Sequence, residues 1–338
     1  MPAAPTLSVL LPFRDVEPTL DEAIGSVLAE REIPIELVAI DDGSRDGSRA
    51  IAEQHAAHDP RVRVITGPAR GIALALRAGL EACRAPLVAR MDGDDVSLPG
   101  RFGAQCALLA SRPSLAVVGT RVEAFASEGE LGAGLARYVA WQNALLSPED
   151  HAREVFVEAP LCHPSVVMRR DALDAIGGYR DGDFPEDYDL WLRFALAGHA
   201  MAKTEHVGLR WRHRAGRLTF ASPRYTVDRI RAIKAEHLAT RIGREASRAL
   251  VVWGAGPFGR RLARALEAHS IRTSAFIDID PDKIGRVARG APIVDETALD
   301  PTRHFVVFAV GSPGARDLVR AALGARRFVE GQDFVCAA

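Results

Sequence analysis

The chain is expected to fold as two α/β domains, each a sheet flanked by helices. Three observations lead there. Short apolar runs alternate with helix-period stretches over the first hundred residues, the rhythm breaks in the middle, and it starts again at Ala249. Such alternation predicts parallel strands joined by crossover helices.

Taken in order, Leu7–Leu11 is a short apolar run closed by Pro12 and predicts the first strand. Leu20, Ile24, Val27 and Leu28 form a helical stripe. Residues 36–40 predict a second buried strand that stops at the turn sequence Asp41-Asp42-Gly43-Ser44. Helix over 48–58, strand over 62–65, helix over 72–82 and strand over 87–91 follow. The middle is less regular. Residues 115–119 and 120–125 suggest strand, 126–134 a Gly/Ser/Glu loop, and 165–168 another strand. Residues 186–197 predict a helix with Asp183 as N-cap and Pro185 in its first turn.

Residues 224 to about 248 suggest a helical connector with one apolar and one strongly basic face, packed between domains or resting on an anionic membrane surface. Beyond it, 249–253 is a strand, 260–268 a helix, and 275–277 and 305–310 two further strands. The expected division is 1–222, a connector over 223–246, and a small domain over 247–338.

Composition narrows the function. A formal net charge of −1 removes any global case for nucleic-acid binding. Cys83, Cys106, Cys162 and Cys336 are scattered without metal spacing, which suggests buried thiols in a reducing compartment. No apolar run approaches the ~20 residues of a membrane span, and the first apolar run lacks a basic segment before it. A cytoplasmic protein without a transmembrane segment is expected.

Two acidic knots carry the chemistry. Met91-Asp92-Gly93-Asp94-Asp95 directly follows the apolar stretch 85–89, and Glu186-Asp187-Tyr188-Asp189 opens a predicted helix. Carboxylates crowded at a strand end repel one another unless a cation lies between them. Mg²⁺ and Mn²⁺ favour such oxygen ligands and bridge them to phosphates. Ligands bind at the carboxyl ends of parallel strands, so Asp41-Asp42 and Asp92–Asp95 should line one crevice.

The ordered set Ser8–Pro12, Ile40–Ser44, Arg90–Asp95, Gly177-Gly178-Tyr179 and Pro185–Trp191 resembles the family 2 glycosyltransferases of the GT-A fold, a nucleotide-diphospho-sugar transferase-like mixed sheet flanked by helices. The resemblance covers about the first 220 residues. It implies inverting, metal-dependent hexosyl transfer from a nucleotide sugar, a UDP-sugar by expectation, to an acceptor hydroxyl. By the same resemblance Asp42 accepts from the N3–H of a uracil, while Pro12 and Asp15 lie beside the base. Asp94 binds Mn²⁺ or Mg²⁺ directly, Asp92 reaches the ribose or a metal-bound water, and Asp95 completes the donor-binding motif. Asp187 matches the catalytic base, with Glu186 its neighbour. His213 is the candidate for a late histidine that joins the metal in many relatives.

The chain departs from the family pattern at Arg14-Asp15, at Arg45-Asp46, and at Arg77, which stands where an Asn is usual and could face the pyrophosphate. His163 would either contact the acceptor or sit satisfied in its loop. Asp187 at a helix N-terminus tends toward a lowered pKa, so upward tuning must come from Glu186 and burial.

The last ~90 residues resemble small Rossmann-like modules found beside sugar-modifying enzymes. Gly254-x-Gly256-x-x-Gly259 follows a strand and opens a helix, and Asp278 ends the next strand. That context suits a dinucleotide fingerprint, hence a possible second nucleotide site for an NAD-type or other nucleotide. Two competing functions use this domain: a nucleotide-sugar oxidoreductase, and a non-catalytic sensor of sugar nucleotides.

Overall fold

Strand β1 (Leu7–Phe13) is buried at every position, as a strand covered on both sheet faces must be. The structure, a computed structural model, describes residues 4–214, 222–245 and 247–338. It divides into two compact units, Met1–His151 with Pro160–Ser222, and Ala152–Ala159 with Pro223–Ala338.

In the first unit β1 is followed by α1 (Glu17–Leu28), β2 (Ile35–Asp41), α2 (Ser48–His58), β3 (Val62–Thr66), α3 (Ile72–Ala82), β4 (Leu87–Arg90) and the short β5 (Val96–Ser97). Then come α4 (Arg101–Ser111), β6 (Leu115–Ala126), α5 (Ala133–Ala144), α6 (Pro148–Glu154), β7 (Val167–Arg169), α7 (Arg170–Ala175), α8 (Glu186–Leu196) and β8 (Ala200–His213). The sheet order is β3-β2-β1-β4-β7-β6-β8-β5. β1 through β4 run parallel, β7 opposes both β4 and β6, and β5 opposes β8. The sheet is therefore mixed, as expected.

The register decides where the chemistry sits. Phe13 lies opposite Asp41, and Leu10 opposite Arg90. Backbone hydrogen bonds from Asp42 N to Phe13 O and from Met91 N to Leu10 O extend the same edge. Phe13, Asp41-Asp42 and Met91-Asp92 thus leave three neighbouring strands at their carboxyl ends.

Two local details differ from expectation. The N-cap of α8 is Pro185, with φ −62° and ψ 117° and no side-chain cap, so Asp183 does not start the helix. Proline fixes an extended entry that needs no capping side chain. Residues 133–144, expected in part as loop, form α5, which buries only Val139 and Gln142.

The second unit contains α9 (Val227–Gly243), β9 (Ala249–Trp253), α10 (Pro257–Glu267), β10 (Ala275–Ile277), β11 (Val287–Ala288), β12 (Ala291–Val294), β13 (His304–Phe308), α11 (Ala315–Ala325) and β14 (Phe334–Cys336). Its sheet order is β11-β12-β10-β9-β13-β14, parallel except for β11. Residues 152–159 join this unit by polar contacts. Lys234 on α9 donates to Val157 O at 2.8 Å and to Ala337 O at 2.9 Å, and Arg320 pairs with Glu154 at 2.7 Å. Burial drops the Lys234 ammonium to a pKa of about 8. Residue 246, at the end of the expected connector, lies outside the described residues. No helix among the described residues is long and apolar enough to cross a membrane.

Candidate active site

Asp42 leaves β2 with its side chain buried at 4 % exposure. Its Oδ2 accepts from Gly71 N at 2.8 Å, while Oδ1 is buried with no hydrogen-bond partner. A carboxylate oxygen held this way wants a donor, because an unmatched buried acceptor costs roughly 1–3 kcal/mol. Asp41 is turned elsewhere: it accepts from Ser44 N at 2.8 Å and meets Arg49 at 3.3 Å. Pro12 is buried within β1. Asp15 is exposed, adopts φ +50°, and accepts from Arg45 N at 2.7 Å. Its bond ties the loop after β1 to the loop after β2. Arg77 lies exposed on α3.

The turn after β4 gathers three carboxylates. Asp92, Asp94 and Asp95 each present an oxygen, all within 4.8 Å of one another. Oxygen-only donors in this number suit a hard divalent ion. His213 lies outside this trio, with its ring edge-on to Trp211 and centroids 4.4 Å apart. Three arginines meet the trio instead. Arg90 pairs with Asp92. Arg214 Nε donates to Asp94 Oδ2 at 3.0 Å. Arg212 donates from its backbone N to Asp95 Oδ1 at 2.8 Å and from Nε to Asp94 O at 2.6 Å. The end of β8 is thereby fastened over the turn.

Arg90 opens one of the quoted motifs but carries no assigned role there. It is 1 % exposed. Burial works against its charge, but Asp92, then Tyr179 and Glu186, hold its pKa above the ordinary guanidinium value. Beneath it lies Arg101, fully buried, which donates to Arg90 O at 2.8 Å and Pro164 O at 2.5 Å. Burial lowers Arg101 to a pKa of about 9. One side chain thus fixes both the strand end that carries the acidic turn and the loop that carries His163.

The second knot starts α8. Glu186 is buried at 2 % and Asp187 is half-buried. The Asp187 carboxyl is pushed above the ordinary aspartate pKa, chiefly by burial, with Asp92's charge adding to it. Its hydrogen bond from Tyr188 N at 2.7 Å and the field of Arg90 oppose the rise. Burial therefore outweighs the helix N-terminus, and the carboxylate that helps is Asp92.

His163 is buried at 5 % and shares a hydrogen bond of 3.0 Å between Nε2 and the Tyr179 hydroxyl. Burial, then Arg90, drives its pKa well below the usual histidine value. It is a satisfied neutral imidazole, edge-on to the fully buried Trp191.

Fold and sequence agree on the class. Residues 8–177 match the model of glycosyl transferase family 2, half of the chain, and the chain belongs to that family. It is 34 % identical over 203 residues to glycosyltransferase EpsE of Bacillus subtilis, across 59 % of this chain and 69 % of that protein. It is 34 % identical over 173 residues to the amylovoran biosynthesis glycosyltransferase AmsE of Erwinia amylovora, across 51 % of this chain and 62 % of that one. Among solved structures, S. aureus TarS crystallised with UDP-GlcNAc superposes with a TM-score of 0.57 at 16 % identity, covering 79 % of this chain and 73 % of that chain. That likeness is one of fold, and it is the GT-A fold.

Proposed function

We propose that this glycosyltransferase moves a sugar from a UDP-type donor to an acceptor hydroxyl in one inverting, metal-assisted displacement. The observation that carries the reading is the convergence of the two knots: Arg90 pairs with Asp92, Arg101 donates to both Arg90 O and Pro164 O, and His163 beside Pro164 lies 3.8 Å from Glu186. A donor site and a base separated by almost a hundred positions in sequence share one field.

In this mechanism Asp42 Oδ1 accepts from the N3–H of the base while Gly71 N keeps Oδ2 in place. Asp92, Asp94 and Asp95 would hold the cation. When bound, it supplies Lewis-acid neutralisation of the charge that grows on the leaving diphosphate. Asp187 takes the acceptor's proton as the new C–O bond forms and the bond to the diphosphate breaks. A base with a raised pKa holds that proton better, and general-base help is worth on the order of 10²–10⁴ in rate. Inversion follows if base and leaving group face opposite sides of the anomeric carbon.

The test is calorimetric titration of UDP into the full chain with and without Mn²⁺, beside donor turnover read as UDP release from a panel of UDP-sugars. Mn²⁺-dependent UDP binding is expected. Asp187→Asn should keep that binding and lose at least about a hundredfold in turnover. Equal turnover would remove Asp187 from the base role, and metal-independent UDP binding would remove the trio from donor binding.

A further inference from the structure

The transferase reading leaves the second unit unused, and that unit holds a cavity of about 610 Å³. This is the size of a small-molecule site, typically ~300–1,000 Å³. It opens at the carboxyl ends of β9, β10 and β13. β9 has β10 on one side and β13 on the other, so the chain order reverses there. Parallel sheets bind ligands at such reversals.

The glycine turn after β9 is shaped for close approach. Gly254 has φ +122°, and a Cβ there would strike Ala309 O at 2.8 Å. A Cβ on Gly259 would lie 1.9 Å from Gly254 O, so α10 is packed as tightly on the turn as a backbone allows. Gly256 differs: it lines the cavity, its φ is an ordinary −76°, and an added Cβ meets nothing within 4 Å. No fold requirement seen here demands glycine at that position. A bare backbone facing a cavity at the start of a helix suits a phosphate oxygen.

Two further features of the lining indicate what would fill it. Ile279 and Leu318 line the cavity yet stand 80 % and 75 % exposed. Large apolar side chains left in water at a cavity lip gain by covering a flat ring, about 25 cal/mol per Å² of apolar surface buried. Asp278 ends β10 at 8 % exposure and anchors the turn, accepting from Ala255 N at 3.1 Å. Its Oδ1 accepts from Asp280 N at 3.1 Å, and its other partner is Lys283 at 3.1 Å, whose side chain is 38 % exposed. The Lys283 end of this pair is open to solvent, which weakens it, so ribose hydroxyls can compete for Asp278.

We infer that this cavity binds a ribonucleoside 5′-diphosphate moiety, with the diphosphate at Gly256, the ribose at Asp278 and Lys283, and the base against Ile279 and Leu318. This site is independent of the transferase reading. A dinucleotide and a nucleotide sugar both carry this moiety, so the test uses NAD⁺, ADP-ribose and UDP-GlcNAc as separate probes.

Each is titrated calorimetrically into the full chain in EDTA, which silences a metal-dependent donor site, and into Asp94→Ala. At least one probe should bind below about 1 mM, equally well in Asp94→Ala. Gly256→Asp should lose at least about tenfold in affinity. Aspartate is a favoured N-cap with room there, so the helix is retained. Leu318→Asp, at an exposed position, should weaken the same probe. NAD⁺ or ADP-ribose binding would identify an adenosine diphosphate moiety, and UDP-GlcNAc binding a sugar nucleotide; either supports the site. Absence of binding by all three, or binding unchanged in both Gly256→Asp and Leu318→Asp, would overturn it.

Discussion

Replacing Arg90 by methionine removes one charge from the middle of the transferase site and keeps an unbranched apolar stem in its place. Arg90 is 1 % exposed and its partner Asp92 is 20 % exposed at the side chain, so the pair is screened little by water. Removing one member of a buried pair costs roughly 3–5 kcal/mol. In a domain of this size each kcal/mol moves the melting midpoint by about 2–4 °C, so the first unit should melt roughly 6–20 °C lower. Two signatures separate this role from mere packing. Mn²⁺ should recover more stability in Arg90→Met than it adds to the wild type, because it restores positive charge beside Asp92. The Asp187 carboxyl should rise further, since Arg90 is among the groups that oppose its rise. The acidic limb of the kcat/KM profile then moves to higher pH. Scanning calorimetry with and without Mn²⁺, and a pH–rate series on whichever UDP-sugar of the panel is turned over, read both. A variant with wild-type Mn²⁺ response and an unmoved acidic limb would refute the coupling, whatever its melting point.

Asp42→Asn should weaken UDP binding about tenfold or more, because one amide oxygen cannot serve both Gly71 N and a base N3–H; unchanged affinity would separate Asp42 from the base. Arg214→Ala should tighten Mn²⁺ binding about threefold or more, since Arg214 occupies an Asp94 oxygen without contributing to the metal; equal affinity would show that the two do not compete. Acid should destabilise the first unit before carboxylates titrate. His151 is fully buried, and burial lowers its pKa from 6.5 to about 4. The unfolded chain then binds the extra proton between those values, and stability falls with pH across that window by on the order of 3 kcal/mol. His163 acts in the same direction. A stability flat from pH 6.5 to 5 in urea titrations would contradict this.

The parallel half of the first sheet was legible because its strands are continuous apolar runs bounded by turn residues. β8 was not, since Ala200–His213 carries Lys, Glu, His and Arg and pairs with β6 through register shifts that break any simple alternation. α5 shows the same failure in a helix: with two buried positions it has almost no apolar stripe to detect. In the site, Asp42, Asp92 and Asp94 could be named because several carboxylates at strand ends form a local pattern. Arg101 could not, and Arg90 stands in the quoted motif with no role to mark it. Arginine is a surface residue by default, and only the packing of distant segments reveals that these two lie under the acidic turn. The sign of the Asp187 shift was undecidable for the same reason, since burial is a property of the folded chain.

Charge balance gives the convergence of the two knots its physical sense. Asp92, Asp94, Asp95, Glu186 and Asp187 bring five carboxyl groups to one region, while Arg90, Arg101, Arg212 and Arg214 bring guanidiniums, the Arg212 one shared with Glu22. His163 adds no charge, because it is held neutral. With every carboxyl ionised the three-carboxylate turn is short of positive charge, a deficit that a divalent cation there would reduce. The raised pKa of Asp187 is the response of a half-buried carboxyl near Asp92 to that surplus of negative charge. Cation binding at the trio would quench the field of Asp92 and lower the Asp187 pKa, so Asp187 would more readily enter its basic form once the donor site is loaded. The acceptor's proton would then meet a base that is more readily ionised when a metal is in place to receive the leaving group's charge. Arg90, which is paired with Asp92 and opposes the rise of Asp187, is the side chain through which that order would be enforced.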